Sequence, residues 1–255
     1  MSRLRAKCPD CRTYTAVALG AEYQCHACGR VFSAALVRVP RAWGEGGEAM
    51  AAAARLDLPY PEAAVIEEDS LAEQTLALAS DLPDRPLVLG GCCCAHVGAV
   101  EGLAARHDRV AVVWLDAHGD LNTPATSPSG NAWGMPLRML LDGGTVRVDD
   151  VALVGARSLD PGEEEFIAES GLAVGVGAVE SAMEDADGAY VALDCDVLEP
   201  GQVETFMPEP GGLALADVER LLREVRPQVL GLGLSGLRAA PGNAEPLARL
   251  VAACL

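Results

Sequence analysis

Long apolar runs are missing from this sequence: no stretch of about 18 apolar residues occurs, so no membrane-spanning helix is expected. The opening MSRLRAKCPDC also lacks the apolar segment of a signal peptide, and the expectation is a soluble, cytoplasmic protein. Basic charge is scarce. The formal net charge of −18 argues against a general nucleic-acid binder, because phosphate contacts need a basic surface. Lysine is nearly absent, with Lys7 alone against eighteen arginines, a coding bias that carries no functional information. An even cysteine count is lacking as well. With nine cysteines, three of them adjacent at Cys92, Cys93 and Cys94, metal binding in a reducing compartment fits better than a disulfide scaffold. There is no internal repeat and no low-complexity tract.

What is present is enough for a folded chain: 255 residues, half of them apolar, bury one large core or two modest ones. Charge is unevenly spread. Up to Arg41 there are seven basic residues (Arg3, Arg5, Lys7, Arg12, Arg30, Arg38 and Arg41) against Asp10 and Glu22, so the remainder carries nearly all the acid. The first segment reads as a separate unit.

Within it, Cys8-Pro9-Asp10-Cys11 and Cys25-His26-Ala27-Cys28 stand thirteen residues apart. That spacing lets two tight turns each present two thiolates to one tetrahedral ion. Residues 14–19 and 22–24 suit short strands, and Gly29 follows the second knuckle where a positive φ is needed. The expectation is a zinc ribbon over residues 1–33, dependent on one structural Zn for its fold, with Cys8, Cys11, Cys25 and Cys28 as ligands. A redox role is weaker, since redox motifs occur singly at a strand-to-helix junction. His26 is expected at the surface. The basic residues leave a nucleic acid or acidic partner open, but a structural role is favoured.

From residue 34 to 255 short apolar runs alternate with helix-like stretches. Residues 87–89, 110–115, 151–154, 172–176, 190–193 and 229–234 are Val- and Leu-rich strand candidates; 47–56, 70–80, 95–106, 136–141, 161–170, 216–225 and 244–253 are helix candidates. Repeated β-then-α units predict an α/β fold: a mostly parallel sheet with helices on both faces and a ligand crevice at the C-terminal strand ends. The loop over residues 124–130 is long enough to belong to a site.

The chemistry concentrates at two strand ends. Residues 110–115 run into Asp116, His118 and Asp120, and residues 190–193 into Asp194 and Asp196. If the backbone stays extended, residues two apart face the same way and these groups converge. Five acidic or imidazole groups in one place resist burial unless cations neutralise them, and carboxylates with one histidine suit Mn or a similar divalent ion. A metal pair sharing carboxylates is the economical arrangement. A solvated rim of helix-capping acids is the competing explanation, weaker for two clusters than for one.

In order and spacing, DAHGDLNTP (116–124), SGNAWGMP (129–136), GARSLDPGE (155–163) and LDCDVLEP (193–200) resemble motifs of the arginase/agmatinase family. GGCCC (90–94) resembles that family's GGDHS segment. The resemblance runs from about residue 37 to the last residue. It implies a three-layer α/β/α fold, two Mn ions, and attack on a guanidinium carbon by a hydroxide bridging them. Position by position it implies that Asp116 and Asp194 bridge the metals, that Asp120 holds the first, and that His118 and Asp196 hold the second. The first metal's remaining ligand, usually histidine, is matched by Cys93, which softens the site toward Zn or Fe. Cys92, Cys94 and Cys195 match non-ligand positions, and His96 is expected to be a locally satisfied histidine.

Departures from the family pattern bear on the substrate. The family's proton-shuttling histidine is matched by Trp133, which cannot transfer a proton at neutral pH, so the catalytic positions available are Asp120 and Trp133. The glutamate that grips the guanidinium near the last strand's end has no counterpart in residues 233–237. Asn122, Ser129 and Asn131 match positions that receive an α-carboxylate, and Asp160 and Glu163 match those near the α-amino group, although each has a plain role in turns and helix caps. Glu209 is a candidate substitute anion. The expected substrate is therefore a small, amino-acid-like molecule whose reacting end is not an ordinary guanidinium, such as an N-hydroxylated guanidine, with arginine a poor one. The expected function is binuclear-metal hydrolysis of a linear C–N bond. The alternatives are a metal-binding pseudo-enzyme acting through a partner and, resting only on the basic ribbon, a nucleic-acid module. A homo-oligomer is expected.

Overall fold

The computed structural model describes residues 5–20 and 22–255; Arg3 of the basic set and the first four residues of the expected ribbon lie outside them. Three short strands, β1 (Ala16–Leu19), β2 (Glu22–Cys25) and β3 (Val31–Phe32), form an antiparallel sheet in which Ala16 pairs with Cys25 and Tyr23 with Phe32. Its small core is Ala6, Cys8, Ala16, Tyr23, Cys25 and Phe32, closed against Ala35. This is the ribbon shape expected, with β3 as an extra strand too short to leave a pattern.

The remaining strands make one eight-stranded sheet, ordered β5-β4-β6-β11-β10-β7-β8-β9. These are β4 (Ala35–Val39), β5 (Glu62–Val65), β6 (Pro86–Gly90), β7 (Val110–Leu115), β8 (Val151–Val154), β9 (Ala173–Val174), β10 (Gly188–Asp194) and β11 (Val229–Ser235). Every recorded pairing between these eight strands is parallel, with one isolated antiparallel bridge from Lys7 to Glu62 at the edge, so the sheet is mostly parallel as expected. A parallel sheet must be covered on both faces, which is why β6, β7 and β10 are apolar without alternation.

Among the described residues eight α-helices complete the main body. They are α1 (Glu48–Ala51), α2 (Leu71–Asp81), α3 (Cys94–Ala104), α4 (Pro136–Asp142), α5 (Pro161–Ser170), α6 (Val179–Met183), α7 (Leu215–Val225) and α8 (Ala244–Cys254). Leu78, Val97, Leu103, Leu137 and Leu140 from α2, α3 and α4 join Val112, Trp114 and Tyr190 in one core; Met183, Val218, Leu222, Leu247 and Leu250 from α6, α7 and α8 join Val113, Leu193 and Leu234 in the other. The architecture is the three-layer α/β/α expected. Gly98 and Gly102 let α3 sit on α2, since a Cβ at either would come within 2.6–2.8 Å of a backbone carbonyl of that helix.

Two strands were not foreseen. In β4 the five residues ALVRV are all buried, but Arg38 interrupts the apolar run. It lies inside because Nε meets Glu62 at 2.6 Å and Nη1 donates to the Ala54 and Leu56 carbonyls. β5 (EAAV) has no β-branched residue before Val65. The stretch 172–176 shortens to the two residues of β9 at the sheet edge. Among the described residues no helix is long and apolar enough to cross a membrane.

Candidate metal centre

The four central strands, β6, β11, β10 and β7, end at one place, and each contributes there. β6 leads through Gly91 to Cys93 at the start of α3; β7 leads to Asp116; β10 ends on Asp194; β11 ends on Ser235, in register with Asp194. One ligand atom each from Cys93, Asp116 and Asp120 lies within 4.8 Å of the other two, and the same holds for Asp116, His118 and Asp196. The two groups share Asp116. Asp194 joins the first, its Oδ2 accepting from Cys93 Sγ at 2.9 Å.

Convergence does not come from extended backbone, as the sequence suggested. Asp120 has φ of +53°, a left-handed turn that an aspartate tolerates better than most residues and that swings its carboxylate back toward the strand ends. Asp196 lies within a 3-10 turn over Cys195–Val197, with Asp194 Oδ1 accepting its N–H at 3.0 Å. His118 N–H donates to Asp116 Oδ1 at 2.8 Å, and Ala117 N–H to Asp196 Oδ1 at 3.1 Å. Asp116, Asp194 and Asp196 are thus each aimed by a backbone amide.

The electrostatics fit a bound cation. Burial, then the charges of Asp116 and Asp194, push Asp120 well above the usual carboxylate range. Burial followed by Asp196 lifts Asp194 to about 7, and burial followed by Asp116 lifts Asp196 to about 6. Burial lowers His118, but Asp116 and Asp196, 3.4 and 3.2 Å from Nδ1, outweigh it and bring it up to about 12. Burial raises Cys93 most of all, with the aspartates adding to it. Asp120 Oδ2 is buried with no hydrogen-bond partner among the described residues. Four aspartates, a thiol and an imidazole, with one oxygen orphaned at their centre, fit divalent cations as a donor set.

Above this floor opens a cavity of about 320 Å³, with the metal-type residues at its base. Asn122, Ser129, Trp133, Asp160, Glu163 and Glu209 all line it. Asn122 Nδ2 donates to Asp160 Oδ2 at 2.8 Å, while Asn122 Oδ1 accepts from Thr126 at 3.0 Å. Glu163 is fully engaged: Oε1 accepts Leu121 N–H at 3.0 Å and Oε2 accepts Asp160 N–H at 2.9 Å. Asn131 is not in the lining; its Oδ1 accepts Glu45 N–H at 2.8 Å, tying the 124–130 loop to the segment before α1. Trp133 packs edge-on against Phe206 at 5.9 Å, under Gly44, where a Cβ would strike the indole. Glu209 Oε1 lies 3.8 Å from His118 Nε2.

Other residues escaped the sequence. Arg157 donates to the carbonyls of Gly155, Asp196, Val197, Glu209 and Pro210, binding the Asp196 turn to the Glu209 loop. Its place inside GARSLDPGE was the available signal. Ser235 and Tyr190 join His96 in a buried polar chain beneath Cys93; His96 is satisfied as expected, but by partners distant in sequence rather than local ones. Cys92 and Cys94 pack with Met50, and Cys195 lies in the core. In the ribbon, Cys8 and Cys28 are 3.7 Å apart and Cys11 and Cys25 3.5 Å, and the four thiols form a second group of potential ligands. The Thr15 hydroxyl, bonded to Cys25 at 3.2 Å, brings that thiol down to about 5.

Residues 48–240 match the family described as "Arginase family". The arginase of Bacillus subtilis (strain 168) is 38% identical over 155 residues, which is 51% of this chain and 52% of that protein. The chain spans about half the length of the curated relatives it matches. A crystal structure of the Bacillus subtilis arginase superposes with a TM-score of 0.76 at 23% identity, covering 87% of this chain and 97% of the other. The proclavaminate amidino hydrolase of Streptomyces clavuligerus does so with 0.70 at 22% identity, covering 87% and 90%. At such identities these two structures are alike in fold.

Proposed function

This chain belongs to the arginase family, and from that premise we propose that it hydrolyses a linear, non-peptide C–N bond in an amidino, guanidino or related amino-acid derivative. The observation that carries the reading is the buried donor set at the base of the cavity, with its partnerless Asp120 oxygen. Asp116 and Asp194 would be shared between two ions, Cys93 and Asp120 would complete the first, and His118 and Asp196 the second. Two divalent ions, Mn first and Zn or Fe as alternatives given the Cys93 sulfur, supply when bound the positive charge and Lewis acidity that make water a nucleophile near neutral pH.

The chain's own part is to hold the substrate over that centre. Asn122 and Asp160, bonded to each other in the wall, and Ser129 at the rim suit a zwitterionic head group, with Asn131 fixing the rim loop behind them. Glu163 acts by holding the Leu121 and Asp160 amides in place. At the reacting end Trp133 and Phe206 offer flat apolar faces to a planar group, and Glu209 is the free carboxylate nearest His118. Ser235 and Gly236 end the last strand where a guanidinium-gripping acid would be needed, and a Cβ at Gly236 would collide with Asp194. The substrate's reacting end is therefore a weaker cation than arginine's, as in an N-hydroxylated guanidine.

The ribbon is read as a separate unit, residues 1–33, closed by one structural Zn on its four cysteines, and residues 34–255 as the hydrolase unit. The test is release of urea or ammonia from a panel of guanidino, amidino and ureido amino acids, with Mn added. Turnover of an amino acid with a modified reacting end, with arginine below about 10⁴ M⁻¹s⁻¹ in kcat/KM, is expected. A metal-loaded protein inert to the whole panel would instead favour a pseudo-enzyme acting through a partner.

A further inference from the structure

Beneath Cys93 a line of polar groups crosses an otherwise apolar core. Tyr190 OH lies 3.0 Å from His96 Nδ1, His96 Nε2 lies 3.0 Å from Ser235 Oγ, and Ser235 Oγ lies 3.2 Å from Cys93 Sγ. Tyr190, His96 and Ser235 are all wholly buried. Gly233 makes their room: a Cβ there would run into both the Tyr190 hydroxyl and the His96 ring. Four residues from three elements, β10, α3 and β11, thus build one connected chain that ends on a residue read above as a metal ligand.

The direction of the protons follows from the donor count. A phenol has one proton to give, and the only partner recorded for the Tyr190 hydroxyl is His96 Nδ1, so it donates there. A neutral imidazole that accepts at Nδ1 carries its proton on Nε2, which then donates to Ser235 Oγ. With that lone pair occupied, the Ser235 proton points away from His96, toward Cys93 Sγ at 3.2 Å or Asp194 Oδ2 at 3.3 Å. The oxygen contact is longer than a good O–H···O bond, whereas 3.2 Å is short for sulfur, so Cys93 is the preferred acceptor. We propose that Tyr190, His96 and Ser235 form a one-way hydrogen-bond relay that delivers a fixed donor to the Cys93 sulfur and tunes it as a metal ligand.

The relay explains how a thiolate is held among four aspartates. A sulfur anion facing Asp116, Asp120 and Asp194 is repelled by each, and a donor on its far side offsets part of that repulsion. These are positioning residues, since none reaches the cavity and each acts through Cys93. The inference rests on Cys93 binding metal, so its tests keep the two apart.

The first needs no metal. In protein labelled with ¹⁵N-histidine, whose four histidines are His26, His96, His107 and His118, the signal lost in His96→Gln identifies His96. It should be a neutral ring protonated on Nε2 with a slowly exchanging proton, and an Nδ1-protonated ring overturns the relay. The second uses Co(II) in the full chain with Zn in the ribbon, where wild type minus Cys93→Ser isolates the Cys93-to-cobalt charge-transfer band. Removing a donor raises the sulfur lone pair, so Ser235→Ala should move this band to longer wavelength and weaken metal binding about 10- to 100-fold, with Ser235→Thr restoring both. Tyr190→Phe, which leaves Ser235 in place, should move it the same way by less, and decides the matter if Ser235→Ala does not fold. A Cys93 band that neither variant moves overturns the relay alone. Absence of any Cys93-dependent band in the wild type overturns both the ligand role and the relay.

Discussion

The two groups of potential metal ligands in this chain are built on opposite principles. The ribbon's four cysteines sit on two short turns, and the core behind them is a handful of side chains around Tyr23 and Phe32. The carboxylate centre is buried at the ends of four parallel strands, held by backbone amides, with a thick core on either face. In the first, the metal would make the fold; in the second, the fold would make the metal site. A ribbon without its ion has little to hold it, whereas the sheet keeps four aspartates together against their own repulsion.

The sharpest way to separate the two is to remove the ion proposed for the ribbon. Structural Zn in such small units is worth about 10–16 kcal/mol of binding linked to folding. Cys25→Ser should therefore remove one equivalent of Zn and unfold residues 1–33, read by metal analysis and loss of amide protection there, while the main thermal transition and the other metals persist. Loss of the whole fold would break the comparison.

Within the main centre the effects should grade with sharing. Asp194→Ala removes a carboxylate read as common to both ions, and should lose both with at least a 10³-fold fall in kcat/KM, about 4 kcal/mol. Cys93→Ala should keep one ion. Equal metal loss in the two variants would argue against a shared Asp194. Arg157→Lys keeps the charge but gives up the fork that spans five carbonyls, so the Glu209 loop should loosen. A rise in KM of about 10-fold, with metal content unchanged, is expected from steady-state kinetics. Least of all, Trp133→His should raise activity on arginine by less than about 10-fold, because no acid near Gly236 replaces the missing anchor.

The same contrast explains what could be read from sequence. The ribbon declares itself through cysteine spacing, since its four cysteines are close in the chain. The central strands declare themselves because a sheet buried on both faces needs unbroken apolar runs, as in VAVVWL of β7. β4 hid because Arg38 is buried on the strength of Glu62 and two carbonyls from elsewhere. Asp116, His118, Asp120, Asp194 and Asp196 were visible as motifs, but the left-handed turn at Asp120 that aims its carboxylate was not. Nothing local marks Ser235 as the partner of His96, since their contact joins residues 139 apart.

The carboxylate centre is proposed to hold two divalent ions independently of the ribbon. Metal content per chain, measured after reconstitution of the full protein with Mn and removal of loosely bound ion, tests it most directly. The expected result is one Zn and two further divalent ions, with the two lost together in Asp194→Ala and the Zn retained. A wild-type protein that holds only the ribbon Zn after Mn treatment would contradict the account.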